Sequence, residues 1–236
     1  YPSVNFKAYR LGRTSRWCVL TPSEEAMKTA KQRAALSDLL ADYGTLLYEA
    51  SYVLAVLGEA KSPDRADELD VLNEIWSEAT DKHRELSHLV AYPAPSAAGW
   101  SAVELHTLLD GLQQMVDDFL RIGTMIAGIH LERLPETVLD KVHLVQGLSR
   151  LVAESVESLS DPIALQRCAE AVRRGAHVVH HEGGAAADTR PAPQRRTEPM
   201  QGGDPQEVTV VQDALGTEVD RLWNFERLLV TSLEMP

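Results

Sequence analysis

The chain has 236 residues, 44% hydrophobic and 25% charged, with a formal net charge of −12. That is the make-up of a globular protein with a sizeable core, in one large or two small domains. The acidic balance argues against general nucleic-acid binding, where a basic footprint is expected. Cys18 and Cys168 stand far apart and form no metal knuckle or redox pair. No run approaches the roughly 18 to 20 apolar residues of a membrane span.

Residues 1–22 carry Lys7, Arg10, Arg13 and Arg16 and no acid, so the remaining residues hold −16 of formal charge once these four are taken from −12. The segment reads as a basic N-terminal arm that can dock on an acidic surface, on its own body or on anionic lipid head groups. It has no apolar core followed by a small-residue cleavage site, so it is not read as a secretory signal. With the widely spaced cysteines, the expected compartment is the reducing cytoplasm.

Residues 23–236 read as one helical bundle domain. Thr21-Pro22-Ser23-Glu24-Glu25 is a helix start, a hydroxyl cap followed by proline and acids. The first helix runs to about Ala60, its apolar residues Leu36, Leu39, Leu40, Leu47, Val53, Leu54 and Leu57 three and four apart, with Gly44 a place for a kink. Ser62-Pro63-Asp64 breaks it and opens a second helix over 64–90, striped by Leu69, Leu72, Ile75, Trp76, Leu86 and Leu89. Tyr92-Pro93-Ala94-Pro95-Ser96 is an extended connection. A third helix follows from about Ser101 to Ile126, and a fourth from Pro135 to about Leu159. A fifth starts at Asp161-Pro162 and carries Leu165, Cys168, Val172 and Val179. Residues 182–206 are rich in Gly, Ala and Pro and read as a flexible loop, because that composition cannot bury a face. A sixth helix over 207–234 closes the chain with Val208, Val211, Leu215, Val219, Leu222, Leu229 and Leu233. The expected fold is all-α, a bundle of about six long antiparallel helices.

One pattern occurs twice. Leu72-Asn73-Glu74-x-x-Ser77-x-x-x-Asp81-Lys82 is echoed by Val211-Gln212-Asp213-x-x-Gly216-x-x-x-Asp220-Arg221. The two acids of each copy are two helical turns apart and share a face. Around them stand further acids: Glu78 and Glu85 on the second helix, Asp110, Asp117 and Asp118 on the third, and Glu218 beside the row on the sixth. Carboxylates projecting from facing helices are how bundles bind hard cations such as Mg, Mn and Fe. The candidate metal ligands are Glu74, Glu78, Asp81, Asp110, Asp117, Asp213 and Asp220. Against this stands a plain solvated surface, since burying unpaired carboxylates is costly. The Glu-x-x-His pattern of carboxylate-bridged iron proteins occurs at Glu85-Leu86-Ser87-His88 without a second copy on a matching helix. His177 and His181 have a zinc-ligand spacing, but they run into the Gly-rich loop and lack the Glu between them. No phosphate-cradling loop, nucleophile elbow or Ser/His/Asp set can be assigned.

The order of features resembles the PhoU-like family, in its short branch of phosphate transport regulators, over roughly residues 35–234. The matching segments are Leu72-Asn73-Glu74 with Asp81-Lys82-His83-Arg84-Glu85-Leu86, the turn Pro93-Ala94-Pro95 with Val103-Glu104-Leu105-His106-Thr107-Leu108-Leu109-Asp110, and Glu218-Val219-Asp220-Arg221-Leu222-Trp223. The resemblance implies a helical bundle, acid-x-x-x-Asp metal motifs, and association with an inorganic phosphate permease. The chain departs from those motifs: Ser77 stands four before Asp81, Gly216 four before Asp220, and Gln113 four before Asp117. Each pair keeps one carboxylate, so a multinuclear site should be reduced or lost. The expectation is a non-enzymatic accessory or regulatory protein of phosphate transport, with a homodimer as one form it can take. It would hold either no cofactor or a weakly bound divalent or trivalent metal (Fe, Mn, Mg or Zn). The alternatives are a ferritin-like metal-binding bundle and a helical interaction module unrelated to phosphate.

Overall fold

The computed structural model describes residues 24–91, 101–159 and 205–234, together with single helical positions at 163, 166, 167, 170, 171 and 174. These hold five long helices and no strand among the described residues. We label them α1 (Glu24–Glu59), α2 (Arg65–Ala91), α3 (Ala102–Gly128), α4 (Glu136–Glu157) and α5 (Pro205–Glu234). A short 3-10 turn, Ser62–Asp64, joins α1 to α2, with Pro63 fixing its entry. The six single positions fall within the expected fifth helix and are helical, as expected; its other residues, the His177/His181 pair, both cysteines, the arm 1–22 and loop positions 182–204 lie outside the described residues. The expected loop ends earlier than its composition implies, because Pro205 opens α5, where a missing N–H costs nothing.

The helix boundaries follow local chemistry. Ser101 caps α3: its hydroxyl accepts from the Glu104 N–H at 3.2 Å, while the Glu104 carboxylate accepts from the Ser101 N–H at 2.6 Å. Those bonds hold the Glu104 carboxyl below its ordinary range. α1 runs unbroken through Gly44. A Cβ on Gly44 would stand 3.3 Å from the Ala153 carbonyl oxygen. The glycine therefore serves the close approach of α1 to the α4 backbone.

Contacts between helices fix their directions. Gly44 lies against Ala153 and Gly58 against Leu139 and Val142, so α1 and α4 are antiparallel. Tyr43 meets Gln113 and Leu54 meets Gly123, so α1 and α3 run parallel. Phe225 meets Gly111 and Arg221 meets Asp118, so α5 is antiparallel to α3 and, by the same chain, parallel to α4. Trp76 with Asp117 and His83 with Asp110 set α2 antiparallel to α3. α1, α4, α5 and α3 form a four-membered ring, and α2 packs outside it against α1 and α3. Parallel neighbours cannot be joined by a short turn.

The core is one continuous apolar cluster from all five helices, including Tyr43, Leu54, Leu72, Leu86, Leu112, Phe119, Val145, Leu215 and Leu222. Each such side chain contributes about 1.5–3 kcal/mol on burial. Arg65 is fully buried at the corner between α1 and α2. Its Nε donates to the Ala60 carbonyl at 3.1 Å and its Nη1 to the Ile129 carbonyl at 2.9 Å. The guanidinium thus ties the C-terminal end of α1 to the C-cap of α3, where helix dipoles favour a cation. Burial lowers its pKa from the ordinary value.

Candidate functional site

The acidic row of α2 faces outward. Glu74, Glu78 and Asp81 are exposed and, with Ser77, Lys82 and Glu85, line an open hollow along that helix. The reason lies in the stripe: Leu72, Ala79 and Leu86 are buried against α1 and α3, which turns the acids to the opposite face. Asp81 Oδ1 accepts from Arg84 Nη1 at 2.7 Å, an exposed pair that adds little stability. Lys82 reaches back to Asp42 of α1 at 3.0 Å, and that hydrogen bond raises its pKa.

The other candidate acids are distributed over different faces. Asp110 is exposed on α3, with His83 Nε2 at 3.3 Å. Asp213 and Asp220 are exposed on α5. α2 packs on α1 and α3, whereas α5 packs on α3 and α4, so the two copies of the repeated pattern do not face one another. Among the described residues there is no group of three or more His, Cys, Asp or Glu placed to hold a metal ion. Nor do the small residues of the pattern mark close contacts. Ser77 is exposed, and a Cβ on Gly216 would meet nothing within 4 Å.

Asp117 is half-buried and belongs to a polar seam between α1, α2 and α3. Its Oδ1 accepts from Trp76 Nε1 at 2.8 Å and from Gln113 Nε2 at 2.8 Å. Gln113 also donates to Thr80 Oγ1 at 3.3 Å and accepts from the Tyr43 hydroxyl at 2.9 Å. Burial first, and the Asp117 charge second, push the Tyr43 hydroxyl up from its ordinary pKa. Gln113 stands four residues before Asp117, one turn away on the same helix. A carboxylate there could not donate to Asp117 and would repel it, whereas the amide both donates and accepts. The residues of this seam form a hydrogen-bonded packing joint between the three helices.

Two buried carboxyls lie between α3 and α5. Asp118 and Glu218 are 5% and 1% exposed. Arg121 donates to Asp118 Oδ1 at 3.1 Å from the same helix, and Arg221 pairs with Asp118 Oδ2 from α5. Arg221 Nη1 stands 3.6 Å from Glu218 Oε2, too far for a hydrogen bond, and neither Glu218 oxygen has a hydrogen-bond partner among the described groups. Burial pushes the Glu218 carboxyl up to about 9, against the opposing pull of Arg121. The helical acid rows contain Asp118 and set Glu218 beside its row, but spacing between acids does not reveal their burial. The signal that does is the apolar stripe. Glu218 falls between Val211, Leu215, Leu222 and Phe225 at three-, four- and seven-residue steps, and Asp118 between Met115 and Ile122.

No helix among the described residues is long and apolar enough to cross a membrane. No protein-family model matches the chain, and a search of characterised proteins finds no significant match. The resemblance of α2, α3 and α5 to a known family therefore rests on those short segments themselves.

Proposed function

We propose that the chain is a non-enzymatic accessory or regulatory protein that acts by contact, with the outer face of α2 as its contact surface. The observation that carries this reading is the exposed row Glu74, Glu78, Asp81 and Glu85 around an open hollow. The buried Arg65 and Asp118 and the half-buried Gln113 and Asp117 are engaged in contacts between helices. An exposed row of like charge steers an oppositely charged partner more than it stabilises the fold. The resemblance of α2, α3 and α5 to PhoU-like proteins makes an inorganic phosphate permease the partner class to test first, from the cytoplasmic side, with the metal site reduced or lost.

The test is capture from detergent-solubilised membranes with the tagged chain and with a Glu74→Gln, Glu78→Gln, Asp81→Asn, Glu85→Gln variant of unchanged helicity. The neutral variant should lose the partner, and the partner should be a phosphate carrier. Equal capture by both proteins overturns the contact surface, and a captured partner unrelated to phosphate overturns the permease link. Titration of Fe³⁺, Mn²⁺ and Zn²⁺ into the apo protein addresses the metal separately: tight binding of several ions per chain would sink the reduced site.

A further inference from the structure

We draw no further inference here: the strongest candidate, the cluster of Asp118 and Glu218 with Arg121 and Arg221 in the α3–α5 seam, pairs Asp118 with both arginines and leaves Glu218 enclosed among apolar side chains, and nothing among the described residues beside it shows a ligand or partner that it would take.

Discussion

Replacing Glu218 by Gln should stabilise the protein at neutral pH, and by more as the pH rises. The Glu218 carboxyl is 1% exposed and is pushed from an ordinary 4.5 up to about 9. The folded state therefore holds this proton more tightly than the unfolded state does. This is the reverse of an ion-paired carboxylate. Its contribution is fully present below about pH 4.5 and is lost progressively as pH rises towards 9. Within that window the loss is about 1.4 kcal/mol per pH unit. From the ordinary value to neutral pH it amounts to roughly 3 kcal/mol. Gln cannot ionise and has nearly the shape of the neutral acid, so the variant escapes the loss. The difference between the two proteins should be under about 1 kcal/mol near pH 5 and about 3 kcal/mol near pH 7. Urea unfolding followed by circular dichroism reads this directly and avoids screening by guanidinium salt. At an m-value of about 3 kcal/mol/M, the variant's midpoint should move up by about 1 M near neutral pH. Parallel pH curves for the two proteins would refute the reasoning. So would a variant less stable than the parent at neutral pH, because Glu218 would then be ionised and held by Arg121 and Arg221.

Three further outcomes follow from the packing. Arg65→Ala leaves the Ala60 and Ile129 carbonyls without their donor in a buried corner, at a cost of about 3 kcal/mol. A thermal melt should fall by roughly 6–12 °C, and an unchanged melting point would refute the staple. Gly216→Ala and Gly123→Ala should act with opposite sign. The first adds a methyl to open space in a helix and should stabilise by about 1 kcal/mol. The second puts a Cβ 2.6 Å from Leu72 Cδ2, itself fully buried, and overpacking of about 1–3 kcal/mol should outweigh the same helix gain. Urea midpoints that move the same way would contradict this. Asp117→Ala removes the acceptor shared by Trp76 and Gln113, and should cost about 2 kcal/mol, with Asp117→Asn milder because one acceptor oxygen remains. Equal midpoints for the alanine variant and the parent would show that the seam contributes nothing.

Helix positions were legible from apolar spacing because each stripe is long and ends at a chemical stop. The third helix, expected from about Ser101 to Ile126, is Ala102–Gly128; the fourth, expected over 135–159, is Glu136–Glu157. Direction was not legible, since a stripe says that a helix is buried and not against what. The parallel pairing of α4 with α5 emerges only through Gly44, Gly111 and Asp118. The same gap explains the acids. Asp117 and Asp118 are adjacent in sequence and about 100° apart around the helix. One enters the seam with α2 and the other the seam with α5. Spacing along one helix cannot tell these fates apart, because each is decided by which neighbour covers that side. The repeated pattern is the sharpest case. Its two acids per copy share a face as their spacing requires, yet the faces belong to helices separated by α3. With Ser77 exposed and Gly216 in open space, neither copy needs its small residue for packing. What the two copies have in common is the alternation of one buried stripe with one solvated face, and that alternation is enough to generate the pattern twice.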